Sequence, residues 1–132
     1  MSYLVDSDWV IDALAGVPSA LSELERLSDD GLAISIITFG EVLEGAYLFP
    51  DYEAHLQRLM QFLSGFRLVG LSEGVMEQFA QLRHELRQRG QLIPDFDLLI
   101  ASTAIHYGLT LMTRNIRHFS RIADLELHQQ PK

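Results

Sequence analysis

Short apolar runs alternate with longer segments of helical periodicity along this chain, and that alternation limits its fold most strongly. Strands are predicted at residues 3–5, 32–36, 66–70 and 109–113, with a last edge strand at residues 125–128. Consecutive parallel strands need a crossover between them, usually a helix. The pattern therefore predicts a single α/β domain over residues 1–132, with a mostly parallel central sheet of four to five strands flanked by helices on both faces.

Helices are predicted between these runs, and turn residues mark several of their ends. Ser72 is a suitable N-cap for a long helix over residues 73–89, which Gly90 ends. Residues 95–107 are apolar nearly all round, which is typical of a central buried helix. The other helices are predicted at residues 9–15, 19–27, 38–48, 51–64 and 116–120.

The composition is that of a folded domain without disulfides. Of the 132 residues 48% are hydrophobic, 21% are charged and none is cysteine, so thiolate nucleophiles and cysteine-bound metals are excluded. The first residues do not resemble a secretory leader, and no apolar run reaches the roughly 18 residues of a membrane helix. We therefore expect a cytoplasmic protein with no membrane contact.

The net charge opposes binding to nucleic acid unless it is offset locally. The chain has 18 acidic and 10 basic residues, a formal net charge of −8, and its only lysine is Lys132. Schiff-base enzymes, phosphate-loop enzymes and receiver domains, which need an internal lysine, are therefore disfavoured. If the substrate is RNA, binding its phosphates requires divalent cations and a local patch of arginines.

Acidic side chains follow the predicted strands at the edge of the sheet where the carboxyl ends meet. Asp6 ends the first strand, Glu41 lies in the first turn of the helix after the second, and Asn115 follows the fourth. Asp95 and Asp97 open the apolar helix before the fourth strand. Ligands bind at this edge of open parallel sheets. Carboxylates gathered there repel one another unless a cation binds among them, and oxygen donors favour Mg²⁺ or Mn²⁺.

Each of these residues also has a purely structural explanation. Asp6 and Asn115 stand where helix N-caps are expected. Thr38 and Glu41 fit a capping box, in which the glutamate reaches back to the Thr38 amide. Of the two acids that open residues 95–107, the first is a natural N-cap and the second complements the helix dipole. Only their conjunction favours a metal site, together with the apolar run after Asp97, which should desolvate that carboxylate.

Four segments of the chain resemble, in order, the signature blocks of one enzyme family. They are residues 4–8 (LVDSD), 38–46 (TFGEVLEGA), 94–101 (PDFDLLIA) and 113–119 (TRNIRHF). The resemblance is to PIN-domain ribonucleases of the VapC type, the toxins of VapBC toxin–antitoxin pairs, and it extends from about residue 3 to residue 120. Any one block is weak, whereas four in order at suitable separations are strong.

The resemblance implies a set of site residues. Asp6, Glu41 and Asp97 match the three acids that bind the metal, Mg²⁺ or Mn²⁺, and Asp95 is a further candidate ligand. Asn115 matches a fourth catalytic position at which many relatives have aspartate, so tight binding of a second metal is in doubt. Two hydroxyl side chains are expected to support the acids by hydrogen bonding: Ser7 and Thr38.

The resemblance also implies an activity and partners. A metal-bound water would attack the RNA phosphodiester and leave 5′-phosphate and 3′-hydroxyl ends. A small cognate VapB-like antitoxin would cover the active site, and the toxin would form a homodimer. Apolar residues that could serve the dimer contact or the core are Trp9, Tyr47, Phe49, Leu56 and Met60.

The RNA-binding residues are predicted from spacing. Arg114, Arg117 and Arg121 are three and four residues apart, so they share one face next to Asn115 if the segment is helical. The five histidines show no metal-ligand spacing and are expected at the surface or its boundary. His118, inside the fourth block, is the one worth testing.

Two other functions remain open on the sequence. The run Asp6-Ser7-Asp8-Trp9-Val10 fits the Asp-x-Asp-x-Val pattern of haloacid-dehalogenase-type phosphatases, with Asp6 as nucleophile and Asp8 as acid/base. Those enzymes normally hold the phosphate with a downstream Lys or Arg, and the lysine is absent here. The second alternative is a PIN fold that binds a partner without catalysis, although inactive relatives usually lose their acids.

Overall fold

The computed structural model describes residues 2–129 and places a four-stranded parallel sheet at the centre of the protein. The strands are Tyr3–Val5 (β1), Leu32–Ser35 (β2), Arg67–Val69 (β3) and Thr110–Met112 (β4), in the order β3-β2-β1-β4. Within the described range the α-helices are Ser7–Leu14 (α1), Pro18–Leu27 (α2), Ile36–Ala46 (α3), Tyr52–Leu63 (α4), Glu73–Gln88 (α5), Asp95–Tyr107 (α6) and Ile116–Phe119 (α7), and a 3-10 turn, Ser28–Asp30, follows α2. The predicted fold class is confirmed.

The two faces of the sheet are buried in two separate apolar layers because side chains alternate along each strand. Leu4 and Leu111 pack on one face, against residues of α5, α6 and α7. Val5 and Met112, the next residue in each strand, pack on the other face against residues of α1 to α4. Helices therefore cover both faces, as expected for parallel strands that read as continuous apolar runs.

The predicted edge strand at residues 125–128 is reduced to a single bridge. Leu127 pairs with Leu111 of β4 in parallel orientation, through hydrogen bonds of 2.9 Å and 2.8 Å that flank this pair. The chain turns immediately before this pair, at residues 121–124, which leaves too little extended backbone for a ladder. The sheet therefore has four strands, the lower end of the predicted range.

The start of α3 differs from the capping-box prediction. Ser35 is the N-cap: its Oγ accepts a hydrogen bond from the Thr38 amide at 3.0 Å and lies 3.2 Å from the Thr38 hydroxyl. Because Ile36 is the first helical residue, Thr38 is the third and Glu41 lies in the second turn. Glu41 therefore does not cap this helix, and the structural explanation for that acid is wrong.

Replacing the buried N-cap Ser35 should destabilise the protein more than replacing the partly buried N-cap Ser72. In Ser35→Ala the buried amide and hydroxyl of Thr38 lose their partner, whereas Ser72→Ala removes only a partly buried bond to the Val75 amide. We expect a loss of about 2 kcal/mol for Ser35→Ala and about 1 kcal/mol for Ser72→Ala. Urea unfolding measures both losses in the free energy of unfolding, provided that the m-values match that of the wild type. Equal losses would contradict the assignment of Ser35 as the α3 cap.

Candidate active site

The crevice beside β1 is where the strand order reverses, and it holds the first predicted acid. β2 lies on one side of β1 and β4 on the other, with Val5 paired to Met112 in register. The Asp6 amide continues this ladder by donating to the Met112 carbonyl at 2.9 Å. Asp6 and Thr113, the residues that follow the two strands, are therefore neighbours at a switch point of the kind where open α/β sheets bind ligands.

The Asp6 carboxylate accepts two hydrogen bonds, one at the start of α1 and one from the residue after β4. It is the N-cap of α1, with Oδ1 accepting from the Ser7 amide at 2.8 Å. Its Oδ2 accepts from the Thr113 hydroxyl at 2.7 Å, and the residue is only 7% exposed. The hydroxyl that supports the first acid thus belongs to Thr113, whereas Ser7 contributes its backbone amide.

Glu41 faces the same crevice from α3. Its Oε1 is buried and has no hydrogen-bond partner in the part of the chain that the structure describes. The pKa of Glu41 is raised, first by burial and then by the negative charges of Asp6 and Asp97. A buried carboxylate oxygen without a donor is costly unless it has a cation. Thr38, predicted to support the acids, is fully buried and bonds to Ser35 instead.

Asp97 enters the site from the first turn of α6 and is bound by the segment after β4. Its Oδ2 lies 2.8 Å from Nδ1 of His118 and 3.5 Å from Nδ2 of Asn115. Asn115 occupies the N-cap position of α7, but its side chain makes no capping bond and contacts Asp97 and His118 instead. His118, the one histidine singled out by the sequence, therefore lies at the site.

Asp8 is a fourth acid of the site whose role the sequence left open. Its carboxylate accepts from the Trp9 amide at 2.7 Å and from the Arg114 amide at 2.8 Å. It therefore joins the start of α1 to the loop after β4. Burial raises the pKa of Asp8, although these amides and the Arg114 charge oppose that shift. The Asp-x-Asp spacing at residues 6–8 was the only signal for this contact.

The four carboxylates form one electrostatic unit, called here the acid cluster (Asp6, Asp8, Glu41 and Asp97). The pKa of Asp6 is raised from 3.8 to about 6, chiefly by burial and further by Asp8 and Asp97, against the lowering effect of the Thr113 hydrogen bond. Because Asp8 and Asp97 raise the pKa of Asp6, and these three acids raise that of Glu41, the carboxylates are close enough to repel, which a divalent cation would relieve.

The donor set fits a hard divalent cation. Carboxylates from three elements supply only oxygen, and the unpartnered Oε1 of Glu41 is available to a cation. Within residues 2–129, no three acidic or histidine side chains already stand at the mutual distances of a preassembled metal cage. Asp6, Glu41 and Asp97 therefore lie at the same crevice, but their carboxylates are farther apart than the ligands of a bound metal ion.

Asp95 lies outside this arrangement. Pro94, and not Asp95, occupies the N-cap position of α6, so the predicted capping role is wrong. The Asp95 carboxylate pairs with Nε of Arg83 at 3.1 Å, and its side chain is 62% exposed. Its negative charge has a partner on α5, and Asp95 is not among the acids that, after burial, raise the pKa of Glu41.

The three arginines predicted to bind RNA do not share a helical face. Arg114 precedes α7, pairs with Asp12 at 3.1 Å and lies 4.1 Å from the centre of the Trp9 ring. Arg121 follows α7 and donates to backbone carbonyls of the loop before α6. Arg117 is exposed, and its side chain makes no hydrogen bond or ion pair within the described range. The spacing argument was wrong because α7 has only four residues.

Two expectations about other side chains are resolved by burial. His128, expected at the surface or its boundary, is buried, with its Nε2 2.9 Å from Oε2 of Glu23. Trp9 belongs to the core, whereas Tyr47, Phe49 and Met60 are about half exposed or more. These three remain available for a protein contact.

Comparison with known proteins agrees with this geometry. The profile of the PIN domain matches residues 3–125. The chain belongs to the PIN-domain family. It is 35% identical to Ribonuclease VapC2 of Rickettsia felis over 134 aligned residues, which cover all of both chains. This VapC-type ribonuclease match leaves the haloacid-dehalogenase-type phosphatase unsupported.

Solved VapC structures share the whole fold. The structure of VapBC2 from Rickettsia felis, bound to a DNA fragment from their promoter, superposes with a TM-score of 0.90 at 34% identity and covers 97% of this chain and 98% of that one. VapBC-1 from nontypeable Haemophilus influenzae gives 0.88 at 26% identity, with full coverage of both chains. Ribonucleases of the PIN family generally depend on a divalent metal.

Each helix within residues 2–129 is too short or too polar to span a lipid bilayer.

The raised pKa of Asp6 predicts an unusual pH dependence for the metal-free protein. The folded-state pKa, about 6, exceeds the unfolded value of 3.8, so stability from this group is complete below pH 4 and is lost as pH rises through 6. The loss is on the order of 3 kcal/mol. In EDTA, urea unfolding from pH 4.5 to 7.5 should show this decline in the wild type and a weaker one in Asp6→Asn.

Addition of a divalent metal at pH 7.5 should restore stability to the wild type, since the ion binds the folded state. Asp6→Asn should gain little. Identical pH profiles for the two metal-free proteins would show that Asp6 titrates normally in the folded state.

Proposed function

We propose that this chain is a metal-dependent endoribonuclease toxin whose metal, Mg²⁺ or Mn²⁺, is bound by Asp6, Glu41 and Asp97. The observation that carries the proposal is the acid cluster: neighbouring acids raise the pKa of Asp6 and of Glu41, and the buried Oε1 of Glu41 has no partner within residues 2–129. Chemistry at such a site needs a positive charge beside the acids, and within residues 2–129 no lysine or arginine makes an ion pair with Asp6, Glu41 or Asp97. RNA hydrolysis is the function these observations support best.

The protein's contribution to the reaction is to hold oxygens in fixed places. When bound, a divalent ion lowers the pKa of a coordinated water and offsets the charge on the scissile phosphate. Asp6 is held by the Ser7 amide and the Thr113 hydroxyl. Cleavage by water leaves 5′-phosphate and 3′-hydroxyl ends and does not require a histidine pair. That agrees with histidines that lie far apart along the chain.

Asn115 assists at the fourth position without charge. Its side-chain nitrogen lies 3.5 Å from Asp97 and 2.9 Å from the ring of His118, so it contacts the site through a neutral amide. A site with three acidic ligands and a neutral fourth group favours one tightly bound metal over two. Asp95, committed to Arg83, takes no part in metal binding.

RNA is held against a negative protein by the arginines at the edge of the site. Arg117 is the principal contact because its guanidinium is exposed and uncommitted among residues 2–129. Arg114 reaches phosphate only by exchanging its pairing with Asp12, and Arg121 mainly fixes a loop. The phosphate contacts are therefore few, and substrate affinity depends on metal and salt.

The protein partners follow from the neighbouring structures and the surface. The neighbours were solved as toxin–antitoxin complexes, and a cognate VapB-like antitoxin is proposed to neutralise this chain. An acidic crevice is suited to receive a basic side chain from such a partner. Homodimer contacts are proposed to use the exposed apolar residues Tyr47, Phe49 and Met60. The proposed place of action is the cytoplasm, where the RNA substrate is.

Substitution of the three proposed ligands should abolish cleavage. We expect Asp6→Asn, Glu41→Gln and Asp97→Asn each to lower kcat/KM by at least about 100-fold, since each removes a charge that binds the metal. The matched control is Asp95→Asn, which changes an acid on α6 two residues from Asp97 and should keep activity within about threefold. Assays of the purified variants on RNA measure kcat/KM. Inducible expression measures toxicity by growth and cleavage in cells by sequencing of RNA 5′ ends.

Discrete 5′-phosphate ends and growth arrest are expected for the wild type and Asp95→Asn only. Equal toxicity of all variants would rule out metal-dependent cleavage at this site. Full loss in Asp95→Asn with activity retained in Asp97→Asn would reverse the assignment of these two acids.

Removal of the exposed guanidinium should weaken RNA binding and leave the chemical step intact. We expect Arg117→Ala to raise KM several-fold with little change in kcat, and to reduce the slope of log KM against log salt by somewhat less than one. Arg67→Ala, an exposed arginine on β3, is the control and should change neither. A fall in kcat at unchanged KM would place Arg117 in the chemistry rather than in binding.

A further inference from the structure

The two metal-binding acids that flank the end of β4 are held by the same short segment of chain. Thr113 donates its hydroxyl to Oδ2 of Asp6 at 2.7 Å. Five residues later, Nδ1 of His118 lies 2.8 Å from Oδ2 of Asp97. Asn115 lies between these two residues in the chain, and its backbone amide donates to the Thr113 hydroxyl at 3.1 Å. Each acid therefore has one oxygen bound by this segment.

Asp97 has fewer hydrogen-bond donors than Asp6, so the position of its carboxylate depends more strongly on His118. Asp6 is bound a second time, by the Ser7 amide. The only hydrogen bonds that Asp97 accepts from side chains within residues 2–129 come from His118 and, at the long distance of 3.5 Å, from Asn115. Both reach Oδ2, so Oδ1 is left without a protein partner in that range. Without His118, the Asp97 side chain would have little to fix its rotamer.

The tautomer of His118 follows from its two contacts. Nδ1 lies 2.8 Å from a carboxylate oxygen of Asp97, which can only accept, and 2.9 Å from Nδ2 of Asn115, which can only donate. The hydrogen bond to the charged carboxylate is the stronger of the two. Nδ1 therefore carries the proton and donates to Asp97. Because Nδ1 carries a proton, it does not coordinate a cation, and through this nitrogen His118 acts on Asp97.

We infer that His118 is a positioning residue, which holds Oδ2 of Asp97 through Nδ1–H and leaves Oδ1 for the metal. The inference rests on the proposed metal site and deepens it. The buried Phe119 side chain, next in sequence, anchors the short helix α7 in the core and fixes the position of the ring. The His118 side chain is itself 31% exposed, so substitutions there should leave the fold intact.

The test compares substitutions that differ in where they place a donor. An Asn amide nitrogen reaches about the position of histidine Nδ1, whereas a Gln amide nitrogen reaches about that of Nε2. Mn²⁺ affinity of the EDTA-stripped protein is measured by electron paramagnetic resonance of the free ion, without RNA. We expect His118→Ala and His118→Gln to weaken Mn²⁺ binding about tenfold or more, as loss of an outer hydrogen bond to a ligand does. His118→Asn should stay within about threefold of the wild type.

Controls separate this inference from the proposed metal site. His84→Ala, an exposed histidine on α5, should bind Mn²⁺ like the wild type. Asp97→Asn should lose binding. If the wild type binds Mn²⁺, Asp97→Asn does not, and His118→Ala binds normally, the positioning role is overturned while the metal site stands. If Asp97→Asn binds like the wild type, both are overturned.

Direct ligation by His118 would give a different pattern. The Asn variant would then lose as much affinity as the Ala variant, and the preference for Mn²⁺ over Mg²⁺ would fall in both, since a nitrogen donor favours the transition metal. That result would overturn the inference. Rescue by Asn but not by Gln, with thermal unfolding unchanged, is the result expected from positioning through Nδ1.

Discussion

The hydrogen bond between the Thr113 hydroxyl and Asp6 joins residues 107 positions apart, and the site depends on the strand pairing that makes it possible. Parallel register places Val5 opposite Met112, so the next residue of each strand emerges at the same edge. Within the described residues, the chain passes from β1 to β2 and later crosses back to β4 on the other side of β1. The carboxyl ends of β1 and β4 therefore lie side by side, and acids from several elements can be gathered there.

Gathering these acids opposes the stability of the metal-free protein. Burial raises the pKa values of Asp6, Asp8 and Glu41, and neighbouring acids raise those of Asp6 and Glu41 further, so the ionised forms are disfavoured in the fold. The scaffold compensates with donors aimed at individual oxygens: amides at Asp6 and Asp8, the Thr113 hydroxyl, and the His118 ring at Asp97. Among residues 2–129, no donor reaches Oε1 of Glu41. A divalent ion bound among these oxygens would both relieve the repulsion and supply the chemistry.

The net negative charge of the protein bears on the binding of both RNA and the antitoxin. Of the three arginines around α7, only Arg117 is uncommitted within residues 2–129, since Arg114 pairs with Asp12 and the Trp9 ring and Arg121 with loop carbonyls. Only weak phosphate attraction is then left for RNA, with the metal as the main positive charge at the site. The same acidic crevice is complementary to a basic group on an antitoxin, which links inhibition to the charges used for catalysis.

The sequence by itself determined the order of strands and helices, the acids at the strand ends and the family. Apolar periodicity and residue type are local properties, and they are read directly from the chain. Tertiary structure decided which roles those acids have. Asp6 both caps a helix and faces the crevice, Asp95 turns to Arg83, and His118 joins Asp97. It also decided that Ser35 caps α3. Such roles depend on donors brought from distant segments by strand register and helix packing, and local spacing carries no information about those distances.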